Sequence, residues 1–301
     1  MSFNNKVIVI TGASSGIGLA AALLFANKGA FVFNLDIIEP SYFHKKVLWL
    51  KCNVSDISDV QSSFAIIRTH TKRIDYLFAN AGIYSEAPLI EMSSTTIDEI
   101  INVNIRGVIN VLRITLPIMK AQKNGSVVLM GSDLSFVGRK NSSIYGATKG
   151  AIGQLTKSLS IECASVGIRV NCVCPGAIMT PLTKKAIKLE ACEKKESASV
   201  IYKEIEKQIP LKRFGTSEEV AHVVAFLCSE KASYITGNLV SIDGGVVASQ
   251  VDNCQYNSHV LKQIVHILGQ NTLFFAHNQK NEASDESNVD KKNIVQLRSK
   301  L

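Results

Sequence analysis

The sequence predicts an α/β protein built on a doubly wound parallel sheet of about seven strands, with helices on both faces. Three observations lead to this class. Short apolar runs alternate with longer amphipathic segments as far as Gly245. Most runs are apolar throughout rather than at every second residue, which is typical of strands buried on both faces. A glycine-rich turn connects the first run directly to the first helical segment.

The elements follow in alternating order along the chain. Strands are predicted at residues 6–10, 31–35, 47–50, 75–79, 126–130, 169–173 and 239–242. Helices are predicted at 17–28, 56–69, 97–120 (in two pieces), 145–166 and 217–227. Gly29 and Gly167 end the first and fourth helices, and Asp56 is a suitable N-cap for the second. The charged, helix-prone segment 183–208 interrupts this alternation.

The composition is that of a globular protein with a sizeable core, since 46% of the 301 residues are hydrophobic and 19% are charged. No apolar run reaches the roughly 18 residues of a membrane span. The run after Lys6 is too short for a signal-peptide core and leads into a glycine motif. We therefore expect a cytoplasmic protein that does not enter a membrane.

Seven cysteines, an odd number without a C-x-x-C pair, indicate free thiols in a reducing compartment. No group of His and Cys has the spacing of metal ligands, so no metal site is expected.

The net charge of +8 is concentrated in residues 184–213, where nine Lys and Arg stand against five Glu. The simplest interpretation is a solvated, Lys-rich helical face. The alternative is a surface that attracts an acidic substrate or carrier. No nucleic-acid-binding motif accompanies the charge, so no nucleic-acid partner is expected.

The first predicted strand ends in a turn with the pattern T-G-x-x-x-G-x-G, and the first helix follows it. Glycines let the backbone turn tightly and approach a pyrophosphate, while the helix start offers unpaired N–H groups. The sequence therefore predicts a dinucleotide site here. Its residues are Thr11, Gly12, Ser14, Ser15, Gly16, Ile17 and Gly18.

Asp36 follows the second strand, 20 residues after Gly16. A carboxylate in this place accepts hydrogen bonds from the adenosine ribose and repels a 2′-phosphate. No Lys or Arg stands at Ser14, Ser15 or the two residues after Asp36, where it would pair with that phosphate. NAD is therefore the predicted cofactor, with NADP less favoured.

Tyr145 and Lys149 lie four residues apart at the start of a predicted helix, which places them on one face. A nearby ammonium is expected to lower the pKa of a tyrosine toward working pH, as acid–base chemistry on a carbinol hydroxyl requires. Ser132 follows the fifth strand, where open α/β sheets bind their ligands, and its hydroxyl would hold a substrate oxygen.

Together these motifs resemble the short-chain dehydrogenase/reductase family, in order from Lys6 to the closing Asp243-Gly244-Gly245. The resemblance implies a Rossmann-type domain and an NAD-dependent oxidoreductase that interconverts a secondary alcohol and a ketone. It implies that Ser132 orients the substrate oxygen, that Tyr145 is the acid/base, and that Lys149 tunes Tyr145 and binds the nicotinamide ribose. Asn104 would hold a water molecule of a proton relay.

The same resemblance implies further cofactor contacts at the ends of later strands. These residues are Asn53, Val54, Asn80, Ala81, Gly82, Pro175, Gly176, Ile178 and Thr180. Asn53 departs from the pattern, which usually has Asp there to meet the adenine amino group. Only residues 37–46 separate the second and third strands, and Pro40 further disfavours a crossover helix there, so a more open adenosine pocket is expected.

Residues 1–246 are thus expected to form the catalytic domain and residues 247–301 a C-terminal extension that the family pattern lacks. Apolar residues at helical spacing predict a helix over 259–276, and the polar residues after 279 are expected to be disordered. The extension is interpreted either as loosely attached or as a helix that docks at an oligomer interface or over the site.

Several functions stay open. The chain is similar to 3-oxoacyl-carrier-protein reductases over residues 211–215 and onward to Gly245, although that subgroup generally uses NADP. Two more functions fit the same motifs, a sugar or polyol dehydrogenase and a non-catalytic NAD(H)-sensing regulator. Residues 84–89, 134–142 and 180–208 would form the pocket for a small alcohol or ketone, whose identity the sequence does not give. The resemblance also implies a homotetramer packed through residues 104–120 and 145–166.

Overall fold

A computed structural model describes residues 1–253 of the chain. Within this range seven parallel strands form one sheet in the order β3-β2-β1-β4-β5-β6-β7. The strands are β1 (Val7–Thr11), β2 (Phe31–Asp36), β3 (Val47–Lys51), β4 (Tyr76–Ala79), β5 (Gly125–Met130), β6 (Ile168–Pro175) and β7 (Leu239–Ile242). This confirms the predicted fold class, a Rossmann-type α/β sheet. The predicted helix at 259–276 lies outside the described residues.

The helices connect these strands, and two of them come from the charged segment that interrupts the predicted alternation. They are α1 (Gly16–Asn27), α2 (Ile57–His70), α3 (Ser94–Ile101), α4 (Val108–Gln122), α5 (Ser143–Ala164), α6 (Pro181–Lys194), α7 (Ala198–Gln208), α8 (Ser217–Cys228) and α9 (Val246–Asn253). The segment predicted to be helix-prone forms α6 and α7. Among the described residues, none of the helices has the length and apolar character needed to cross a membrane.

Alternate side chains of β1 enter two separate hydrophobic clusters, one on each face of the sheet. Ile8 and Ile10 pack with Phe25 of α1 and Val224 of α8. Val9 belongs to the cluster on the opposite face, which includes residues of α2, α4 and α5. Because both faces are covered by helices, every residue of β1 is buried and a fully apolar run is tolerated.

The chain reverses its direction of winding beside β1, and this reversal positions the site. β1 pairs with β2 on one side and with β4 on the other, and all three run parallel. The connections after β1 and β4 therefore leave the sheet in opposite directions and open a crevice at the carboxyl ends of the strands. Residues 37–46 connect β2 to β3 without a helix, as their length predicted.

Gly18 illustrates how closely α1 packs on the turn after β1. A Cβ atom at Gly18 would clash with the Gly12 carbonyl oxygen and would lie 2.9 Å from the Cα of Ala13. We expect Gly18→Ala to lower the free energy of unfolding by about 1–3 kcal/mol, because the backbone on both sides would have to move. Chemical denaturation monitored by circular dichroism measures this change.

Gly150→Ala is the matched control, because a Cβ there meets nothing within 4 Å. It should raise the free energy of unfolding by up to about 1 kcal/mol through helix propensity. Equal effects of the two substitutions would contradict the close packing at Gly18.

Candidate active site

A cavity of about 420 Å³ opens at the carboxyl ends of the strands. It extends from the turn after β1, past the ends of β2, β4 and β5, to the segment after β6. The structure places most of the predicted site residues in its wall. They are Gly12, Ser15, Gly16, Ile17, Asp36, Asn53, Val54, Asn80, Ala81, Gly82, Ser132, Tyr145, Lys149, Pro175, Gly176, Ile178 and Thr180.

The turn after β1 leaves room and hydrogen-bond donors for a phosphate group. Gly12 has φ +66° and Gly16 has φ +54°, a region that favours glycine. A Cβ at Gly12 would lie 2.9 Å from the Cα of Ala81, so a larger residue would collide with the segment after β4. Ser15 is the N-cap of α1 and its side chain makes no capping bond. The N–H groups of this helix start therefore face the cavity region without side-chain partners, as a pyrophosphate requires.

Two predicted residues support this wall from behind instead of lining it. The Thr11 hydroxyl oxygen accepts the N–H groups of Asn80 and Ala81, both at 3.0 Å, and so joins the ends of β1 and β4. Ser14 is buried, and its hydroxyl donates to the carbonyl of Ile38 at 2.5 Å. Gly18, a third such residue, lies against the Gly12 carbonyl.

Asn104 is the fourth predicted residue that does not line the cavity. Its amide oxygen accepts the Ile83 N–H at 2.9 Å, and its amide nitrogen donates to the Ile83 carbonyl at 3.0 Å. It lies in a π-helical turn, Asn102–Gly107, that joins α3 to α4. The sequence predicts a helix in two pieces, and this turn, a feature that often occurs at functional sites, is the junction.

The Asp36 carboxylate is held in place by two backbone groups at one end of the cavity. One oxygen accepts the Ser14 N–H at 2.9 Å, and the other accepts the Ile38 N–H at 3.1 Å. A carboxylate has about four acceptor positions, so each oxygen retains capacity for a further donor such as a ribose hydroxyl. Lys149 is the only Lys or Arg among the described residues of the cavity wall. Within the described residues of the wall, the Asp36 end of the cavity therefore carries a negative charge and no cationic side chain.

Asn53 lines the cavity, but its amide oxygen is already used. It accepts both the N–H and the hydroxyl of Ser55, at 3.1 and 2.8 Å. Because an amide oxygen has two lone pairs, a bond to an adenine amino group would have to replace one of these. This local turn gives the Asn a structural role that its position in the sequence did not indicate.

Tyr145 and Lys149 lie on the first turns of α5 and face the opposite end of the cavity. The Lys149 ammonium lies 5.4 Å from the centre of the Tyr145 ring and donates to the Met130 carbonyl at 2.8 Å. Lys149 is only 3% exposed. Burial lowers its pKa to about 8, since removing an ammonium from water disfavours the charged form.

The pKa of Tyr145 is raised, whereas the sequence predicted that it is lowered. Burial of the phenol raises its pKa well above the usual range, and the negative charge of Asp133 raises it further. The Ser132 hydroxyl acts in the opposite sense and lowers it. The predicted lowering is therefore not what the protein groups alone produce, because desolvation of the phenolate is the largest effect on this phenol and raises its pKa.

Two residues that contact Tyr145 and Ser132, Tyr84 and Asp133, were not predicted as site residues. The Tyr84 ring meets that of Tyr145 edge to face, with centroids 4.9 Å apart, and its hydroxyl donates to Glu86 at 2.5 Å. Asp133 accepts the hydroxyl of Ser132 at 2.7 Å. Tyr84 belongs to a loop that was assigned to the substrate pocket, whereas no pattern in the sequence distinguished Asp133 from an ordinary loop residue.

Replacing Lys149 is expected to stabilise the fold while it removes a group from the site. With a pKa of about 8 instead of 10.5, the buried ammonium costs about 3 kcal/mol at neutral pH. Lys149→Met removes this cost but leaves the Met130 carbonyl without its donor, so a net gain of about 1–2 kcal/mol is expected at pH 7. Thermal unfolding followed by calorimetry measures the difference.

The sign of the pH dependence provides the control for this prediction. Between pH 8 and 10.5 the unfolded chain binds more protons at Lys149 than the folded chain does, so the stability of the unaltered protein rises with pH in this window. The advantage of Lys149→Met should therefore shrink between pH 8 and 10. An advantage that stays constant would mean that Lys149 is not a costly buried cation.

Six cysteines lie within the described residues, and all are free thiols. Cys172 and Cys174 of β6 point to the same side of the strand, and their sulfur atoms are 3.7 Å apart.

Comparison with known proteins gives one consistent result. A family model described as "Enoyl-(Acyl carrier protein) reductase" matches residues 12–247. The chain is 40% identical over 256 residues to a 3-oxoacyl-(acyl-carrier-protein) reductase of Thermotoga maritima, a match that covers 82% of this chain and all of that protein.

Solved structures agree with these matches. The ligand-free aldohexose dehydrogenase of Thermoplasma acidophilum aligns with a TM-score of 0.76 and 35% identity, over 81% of this chain and 94% of that one. A 3-ketoacyl-(acyl-carrier-protein) reductase from Brucella melitensis, solved in complex with NADH, aligns with a TM-score of 0.74 and 30% identity, over 82% of this chain and all of that one. These matches agree with the motifs, the sheet order and the site described above. This chain belongs to the short-chain dehydrogenase/reductase family.

Proposed function

We propose that this oxidoreductase uses NAD to interconvert a secondary alcohol and a ketone, with Tyr145 as the acid/base. One observation carries the proposal. A single cavity has a fixed carboxylate, Asp36, at one end and the group formed by Ser132, Tyr145 and Lys149 at the other. An extended dinucleotide placed between them would bring its ribose to the carboxylate and its reactive ring to the phenol.

The residues of the turn after β1 would hold the pyrophosphate, and Asp36 would hold the adenosine ribose. Asn80, Ala81 and Gly82 would line the adenosine side, while Pro175, Gly176, Ile178 and Thr180 would contact the nicotinamide. When bound, oxidised nicotinamide supplies the hydride acceptor and a positive charge beside the phenol. Lys149 would bind the neighbouring ribose, since its remaining N–H groups are free to turn from the Met130 carbonyl toward the cavity.

Tyr145 would accept the proton of the carbinol hydroxyl in oxidation and return it to the carbonyl oxygen in reduction. Burial holds the phenol protonated, which suits the acid role. The base role requires extra positive charge, and Lys149 together with the bound cofactor would provide it. Ser132 would hold the substrate oxygen within reach of the phenol, and Asn104 would support a water-filled route for the proton.

The first experiment is a fluorescence titration of the purified protein with NADH and with NADPH. Tighter binding of NADH is the expected result, because the Asp36 charge opposes a 2′-phosphate. Tighter binding of NADPH would refute the assignment of Asp36 and would favour a carrier-protein reductase.

A 3-oxoacyl-carrier-protein reductase is the second candidate. The 40% identity to the Thermotoga maritima enzyme favours it, as do the nine Lys and Arg in residues 184–213, a segment that includes α7 and most of α6. A basic surface of this kind attracts an acidic carrier. Oxidation of NADH or NADPH by a 3-oxoacyl thioester, compared with NAD reduction by aldohexoses, separates this candidate from a sugar dehydrogenase.

We also propose a cytoplasmic homotetramer in which residues 1–246 are the catalytic domain and 247–301 an extension. Exposed apolar side chains on two long helices support the assembly: Ile109 on α4 is 38% exposed, and Ile161 on α5 is 79% exposed. Such side chains are commonly covered in an oligomer. Light scattering that reports a monodisperse monomer would refute the tetramer.

A further inference from the structure

The segment after β5 contains a buried carboxylate that the proposed mechanism does not use. Asp133 directly follows Ser132 and is 3% exposed. One of its oxygens accepts the Ser132 hydroxyl at 2.7 Å, and the other accepts the Arg139 guanidinium at 2.6 Å. Neither Asp133 nor Arg139 lines the cavity, so the ion pair lies behind Ser132.

The hydrogen bonds of Ser132 determine what its hydroxyl presents to a ligand. A serine hydroxyl has one proton and two lone pairs. Ser132 gives its proton to Asp133 and accepts, at 3.2 Å, the Leu134 N–H, which it shares with Asp133 at 3.0 Å. One lone pair is therefore left and no proton. A ketone oxygen or a phenolate requires a donated proton, which Ser132 does not present in this arrangement.

We propose that Asp133, anchored by Arg139, is a positioning residue that holds the single proton of Ser132 away from the cavity. The inference rests on the proposed alcohol–ketone chemistry at Tyr145. Ser132 then donates to a ketone oxygen or to the Tyr145 phenolate only after its proton leaves Asp133. Asp133 thus competes with the reacting groups for one hydrogen bond.

The groups around Tyr145 are consistent with this competition. Charged and titratable side chains face it from three parts of the fold: Lys149 on α5, Tyr84 and Glu86 after β4, and Asp133 and Arg139 after β5. After burial, Asp133 is the main group that raises the pKa of the phenol, and the Ser132 hydroxyl lowers it when its proton is directed at the phenolate. Asp133 therefore opposes the phenolate by its charge and by holding the Ser132 proton.

A double-mutant cycle on the ionisation of Tyr145 tests the proposal without any turnover. The protein is labelled with 3-fluorotyrosine, whose phenol ionises at lower pH than that of tyrosine. Its 19F signals are titrated with and without NAD⁺. The signal of Tyr145 is the one that Tyr145→Phe removes. Asp133→Asn is expected to raise the ionisation constant of Tyr145 about tenfold, because it removes a charge and because a neutral amide oxygen holds the Ser132 proton more weakly than a carboxylate does. In a Ser132→Ala background, Asp133→Asn should raise the ionisation constant of Tyr145 less than about threefold, because only the effect of the removed charge remains.

Equal effects of Asp133→Asn in the two backgrounds, or no effect in either, would overturn the positioning role. Arg139→Gln is the second variant, needed if Asp133→Asn does not fold. Arg139→Gln leaves Asp133 without its cationic partner, so it should lower the ionisation constant of Tyr145. The decrease should be smaller in the Ser132→Ala background. An equal decrease in both would overturn the proposal too. Absence of hydride transfer with every carbonyl substrate would instead refute the proposed function, and the titration would still be interpretable.

Discussion

Tyr145→Phe is expected to lower kcat by about 10²- to 10⁴-fold, the usual contribution of a positioned acid/base. The substitution removes one oxygen and keeps the ring, so the edge-to-face contact with Tyr84 should persist. Among the described residues, Tyr84 is the only other tyrosine of the cavity wall, and the Lys149 ammonium is 5.4 Å from the Tyr145 ring. Steady-state kinetics with the substrate found in the carbonyl and alcohol panel measures the loss.

Tyr84→Phe is the matched control, because it removes the same atom from the neighbouring ring. The Tyr84 hydroxyl donates to Glu86 and has no part in the proposed proton transfer. Its loss should change kcat far less. NADH affinity should be nearly unchanged in both variants, which separates a chemical defect from a binding defect. Turnover that survives Tyr145→Phe would refute the proposed mechanism.

The fold could be predicted because its signals are local and repeated. Each apolar run became a parallel strand, since both faces of the sheet are covered and no alternation is required. The glycine turn was equally visible, because Gly12 adopts positive φ and approaches Ala81 too closely for a side chain. Such positions restrict the residue type so strongly that the sequence alone shows them.

The parts of the site that were missed depend on contacts between distant segments. Lys149 is held by the Met130 carbonyl, a backbone group that leaves no trace in the residue pattern. The amide oxygen of Asn53 is taken by Ser55, a turn that competes with the expected adenine contact. The direction of the Tyr145 pKa was predicted from one neighbour, whereas the degree of burial that decides it requires the packed structure.

Asp36→Ala is expected to reduce the preference for NADH over NADPH by about 100-fold or more. Hydrogen bonds to a charged group contribute about 1.5–3 kcal/mol each, so losing the carboxylate should weaken NADH binding about 10- to 100-fold. NADPH should bind more tightly, because a phosphate would no longer meet a like charge. Fluorescence titration of both cofactors at fixed ionic strength gives the two dissociation constants.

A control must distinguish the position of the Asp36 carboxylate from the effect of any negative charge nearby. Glu39 lies three residues further along the same connection, is exposed and does not line the cavity. Glu39→Ala removes one negative charge from the surface near the adenosine end, where salt screens it. It should leave the cofactor preference nearly unchanged. A shift as large as that of Asp36→Ala would mean that the general field of the loop sets the preference. No shift in Asp36→Ala would mean that the carboxylate, although fixed by Ser14 and Ile38, does not meet the ribose.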